Sequence, residues 1–77
     1  MYRADQIHKV LEFLAKNVAN SIQPNLVDSE QIAEELHMTV AETKQILKIM
    51  HEMGVIESNM ETDYSLITRA GLNSLNL

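Results

Sequence analysis

Lys44, Gln45 and Lys48 carry the side chains of this sequence best suited to recognising another molecule. On a helix the two lysines, four positions apart, stand one above the other, so their ammonium groups reach phosphate oxygens or guanine edges. Gln45 between them offers a donor and an acceptor in the pattern that pairs with adenine at two points. Ala41, one turn earlier, is small enough to let a neighbouring surface come close. The plainer reading of the same residues is a solvated helix surface, so their meaning depends on the elements that hold them.

Other chemistry is sparse. His8 and Glu12 stand at the i, i+4 spacing that can grip a metal, but two ligands without a third make a poor site, and no metal is expected. His37 and His51 fall at helix ends, where a partly charged imidazole suits the dipole. There is no cysteine, and the two glycines, Gly54 and Gly71, build no phosphate-cradling loop. No nucleophile elbow or paired-acid arrangement appears either. No catalytic residue and no cofactor are therefore expected, and the chain does not read as an enzyme. Size points the same way. A domain of 77 residues buries only roughly 60% of its unfolded surface, which leaves little stability to support a polar catalytic pocket.

Eleven acids against six bases give a net charge of −5. Non-specific affinity for nucleic acid comes mainly from neutralising phosphates, so this balance argues against tight, promiscuous binding while permitting a local basic patch. With 45% hydrophobic residues and only three aromatics, Tyr2, Phe13 and Tyr64, the chain should fold around an aliphatic core. The absence of cysteine, of a leader and of a long apolar run suggests a cytoplasmic protein that does not enter a membrane.

The elements follow from periodicity and punctuation. Ile7, Val10, Leu11, Leu14 and Val18 recur at three and four, which predicts an amphipathic helix over 4 to about 20, closed by the turn around Pro24. Leu26 and Val27 suffice for a short pairing strand. Asp28 followed by Gln31 has capping-box spacing and starts a helix that buries Ile32, Ala33 and Leu36 and ends near His37. Thr39 followed by Glu42 repeats the signal almost at once. The third helix then runs to Met53, with Val40, Thr43, Ile46, Leu47, Met50 and Met53 on its buried face, leaving Ala41, Lys44, Gln45, Lys48 and Glu52 outside. Gly54 supplies the stop. Val55-Ile56 and the stretch 64–67 flank a polar tip at 58–63, which predicts a hairpin, and Thr68 caps a last short helix bearing Leu72 and Leu75.

In this order the stretch 32–50 resembles the helix-turn-helix of bacterial winged-helix transcriptional regulators. Gly54-Val55-Ile56 is similar to the exit they use, and 64–72 is similar to their second wing strand and following helix. The likeness runs from Ile7 to Leu75, and the compact size with Leu11-Glu12-Phe13-Leu14 also resembles the small regulators of fimbrial operons. The resemblance implies an α+β winged helix-turn-helix domain over 1–77, with the motif at 28–53, a two- or three-stranded wing at 55–67 and a short C-terminal helix. It further implies a regulator whose third helix enters the major groove of double-stranded DNA. Thr39, Ala41, Lys44, Gln45, Lys48 and Arg69 are then the expected DNA-binding residues.

Two features pull against that expectation. Glu42 would face phosphates, although the cap with Thr39 accounts for it. The wing carries Glu57, Glu61 and Asp63 and no base, whereas a wing that enters the minor groove ordinarily presents a cation. Either the wing stays clear of DNA, or its acids meet a protein partner and the chain is an interaction module of the same fold. Tyr2 and Phe13 share a flank of the first helix. Leu75 and Leu77 would cover that flank within the chain, or it would serve a homodimer.

Overall fold

The computed structural model describes residues 3–19, 26–59 and 61–75. The expected roles of Tyr2, of the turn around Pro24 and of Leu77 lie outside the described residues. Helix α1 (Arg3–Ala19) and strand β1 (Val27–Asp28) precede helices α2 (Ser29–Leu36) and α3 (Val40–Met53). Strands β2 (Ile56–Ser58) and β3 (Tyr64–Ile67) and helix α4 (Arg69–Ser74) complete an α+β arrangement of four helices and one small sheet. Its strands are ordered β1-β3-β2 and all pair antiparallel, with Val27 and Ser58 on either side of Ser65 and Ile56 opposite Ile67.

Pairing β1 with β3 brings the start of α2 against the hairpin, and the Ser29 amide donates to the Asp63 carbonyl at 2.8 Å. The core is aliphatic. Val10, Leu11 and Leu14 from α1 meet Ile32 from α2, Ile46, Leu47 and Met50 from α3, and Val27, Ile56 and Ile67 from the sheet. Phe13 and Leu75 are half-buried against this same core.

The junctions form where the local signals predict them, with one difference in detail. At α2 the Asp28 carboxylate accepts a single bond from the Glu30 amide at 2.8 Å, so the cap is of the simple kind, and Gln31 is exposed. His37 ends α2 in the left-handed conformation at φ 57°, and two residues later Thr39 opens α3 with a full capping box. Gly54 closes α3 at φ 81°, a conformation glycine adopts without strain.

Four residues sit further out than periodicity suggests. Val40 and Met53 are exposed because they lie on the shoulders of the buried stripe in the terminal turns of α3. Leu26 precedes the sheet pairing, which begins at Val27, and is exposed. Leu72 is also exposed, while Gly71 beside it is buried. A Cβ at Gly71 would collide with the Val55 carbonyl oxygen and the Ile67 side chain, so α4 lies against the chain only because glycine stands there. Among the described residues no helix is long and apolar enough to cross a membrane.

Candidate functional site

The α3 helix is held firmly at both ends and along its back. Thr43, Ile46, Leu47 and Met50 are buried along one face. At its start the Thr39 hydroxyl accepts from the Glu42 amide at 3.0 Å, and the Glu42 carboxylate accepts from the Thr39 amide at 3.3 Å. The two side chains also bond each other at 3.2 Å. Thr39 and Glu42 are thereby both engaged in helix initiation, which accounts for the carboxylate at this end of α3, and Thr39 is exposed.

Opposite the buried face, Ala41, Gln45, Lys48 and Glu52 are exposed. At ~100° per residue these four positions fall on a single stripe along the outer side of the helix. Lys44 departs from it. The position lies toward the hairpin flank, and its side chain leaves the stripe to meet Asp63, with Nζ 2.8 Å from Oδ1 and the two side chains 35% and 42% exposed.

The sequence expectation that Lys44, Gln45 and Lys48 project together is therefore met by Gln45 and Lys48 alone. Lys44 is half-buried in a shallow cleft of about 170 Å³ that it shares with Asp28, Ser29, Glu30, Val40, Asp63 and Tyr64. The bond to Asp63 raises the Lys44 ammonium above its usual value, with the charges of Asp63, Glu61 and Glu30 adding to it and partial burial working against. The same bond lowers the Asp63 carboxyl below the usual carboxylate value, assisted by the Lys44 charge and by the Asn59 side chain.

Asp63 arrives at Lys44 by a well-fixed route. The Asn59 amide donates to the Tyr64 carbonyl at 3.3 Å, the Tyr64 amide to Asn59 Oδ1 at 3.0 Å, and the Thr62 amide to the Asn59 carbonyl at 2.9 Å. Thr62 is buried and sits at φ 57°, a conformation in which a β-branched residue is a genuine outlier. Glu57 and Glu61 are exposed, so of the three wing acids only Asp63 turns inward.

Arg69 is exposed at the start of α4. Thr68 before it donates from its hydroxyl to the Gly54 carbonyl at 2.7 Å and from its amide to the Val55 carbonyl at 3.1 Å. Arg69 thus belongs to the C-terminal end of α3, roughly 20 Å along the helix from Ala41 at 1.5 Å per residue. The structure does not bring it beside Ala41 and Gln45.

His8 Nε2 and Glu12 Oε1 lie 3.4 Å apart on α1, and among the described residues no group of three metal-ligating side chains gathers. The acids are unevenly placed. Nine of the eleven lie between Asp28 and Asp63, where the only bases are Lys44 and Lys48. No family model, no curated protein and no solved structure matches this chain.

Proposed function

We propose that the chain is a winged helix-turn-helix module, a cytoplasmic regulator of transcription that binds double-stranded DNA through the outward stripe of α3. The observation that carries this reading is a fourteen-residue helix, capped at both ends and pinned from behind, that presents Ala41, Gln45 and Lys48 together to solvent. A helix of that kind fits the major groove, whose width of ~12 Å admits it and whose base edges Gln45 and Lys48 are equipped to read. Glu52 limits the contact to the first half of the stripe. The hairpin, lacking any base, stays out of the minor groove.

Fluorescence anisotropy with labelled duplexes tests this. Affinity should fall linearly in log–log form with salt, and Lys48→Ala should reduce the slope by about 0.9 through the loss of one phosphate-neutralising charge. Gln45→Ala should cost about 1–3 kcal/mol on a duplex selected by the protein and leave the slope unchanged. Absence of binding at about 50 mM salt, or binding indifferent to salt, contradicts the proposal.

A second reading, a protein-interaction module, is favoured by one specific observation. On the outer side of the sheet Tyr64 and Leu26 are exposed and Leu66 half-buried beside Glu57, within the segment that holds most of the acids. A partner seated there would be retained at high salt if apolar contact dominates.

A further inference from the structure

We infer that Asp63 sets how strongly the α3 surface discriminates between DNA sequences, because its carboxylate occupies on Lys44 the place that a backbone phosphate would otherwise take. The inference rests on the DNA-binding reading above and adds a residue that does not itself touch base pairs.

A carboxylate and a phosphate offer an ammonium the same thing, an anionic oxygen at hydrogen-bonding distance. Lys44 already has such an oxygen at 2.8 Å. Exchanging it for a phosphate swaps one ion pair for another and strands Asp63, so Lys44 adds little to binding that depends on phosphates alone. Gln45 and Lys48 are unaffected, since both are exposed on the neighbouring stripe. Non-specific binding, built almost wholly from phosphate contacts, therefore loses one of its few cations, while direct base readout is kept.

The arrangement is built into the backbone. Asp63 is anchored through its own carbonyl to the Ser29 amide, and the residue before it is the buried, left-handed Thr62. A strained β-branched residue persists only where its surroundings over-determine it. Here the result is a carboxylate aimed at α3, while the other hairpin acids, Glu57 and Glu61, are exposed.

The test is a set of variants measured on a random-sequence duplex and on a duplex selected from a random pool by the protein. Asp63→Asn should tighten binding to the random duplex more than to the selected one. Its salt slope should steepen by about 0.9, so that the gain is roughly threefold larger at about 50 mM than at about 200 mM salt. The gain should vanish in a Lys44→Ala background. Glu57→Gln, which removes an exposed charge of the same hairpin away from the Lys44–Asp63 pair, should give no gain that depends on Lys44. Asp63→Ser serves as a second uncharged variant should the asparagine unfold the hairpin.

A gain that survives Lys44→Ala overturns the inference, because charge removal alone would then explain it. So does an unchanged affinity of Asp63→Asn for the random duplex while the wild type binds; either result leaves the DNA-binding reading standing. If the wild type and every variant ignore both duplexes, the reading and the inference fall together.

Discussion

The ion pair between Lys44 and Asp63 has a definite pH window. Asp63 titrates below the usual carboxylate value, so its contribution is complete above that value and disappears as pH falls through the lowered one. Lys44 titrates above the usual lysine value, so its contribution is complete below that value and disappears as pH rises through the raised one. The contact is therefore intact across the neutral range and is lost toward either extreme. Lys44→Met should bring the Asp63 carboxyl most of the way back to an ordinary carboxylate value, the Asn59 side chain keeping the remainder. A ¹³C carboxyl titration measures this, and an unchanged midpoint would mean the pair is not formed in solution. Gln45 and Lys48 were legible in the sequence because helical period alone puts them outside. The diversion of Lys44 was not, since its partner lies nineteen residues away in a loop whose path depends on Thr62 taking a left-handed turn.

Elements were most legible where their signals are local. Thr39, Glu42, Gly54 and Thr68 mark helix ends by chemistry completed within a few residues, and each acts at the position its type predicts. Removing the α3 cap with Thr39→Ala should cost about 1 kcal/mol, read as a lowered midpoint in chemical denaturation with an unchanged slope. Burial at element ends was less legible. Val40 and Met53 satisfy the apolar period, yet at the terminal turns the shoulders of α3 are only partly covered, and both remain exposed. Gly71 gave no sequence signal, because its role arises only when α4 meets the Val55 carbonyl. Gly71→Ala should therefore destabilise by about 1–3 kcal/mol through overpacking. Each kcal/mol should lower the melting temperature by about 4–8 °C in a chain of this size. A melting temperature equal to that of the wild type would show that α4 does not dock as described.

For the whole molecule, the succession of caps, periods and turns was enough to anticipate an α+β arrangement of helices and a hairpin, because each piece is specified locally and few assemblies accommodate that order. The net charge of −5 was equally plain, but not its layout. Only the fold shows that Asp63 turns inward to neutralise Lys44 while Glu57 and Glu61 stay exposed. On the proposed reading, a stripe whose one cation is Lys48 stands on an acidic body, and the protein should bind DNA by base contacts supplemented by few phosphates. A ¹⁵N NMR titration of the protein with duplex DNA tests that claim most directly. At about 50 mM salt the amides of Ala41, Gln45 and Lys48 should shift together and those of Glu57 and Leu66 should not, and the effect should shrink at about 200 mM. Shifts confined to the outer side of the sheet, or none on α3 at either salt, would contradict it.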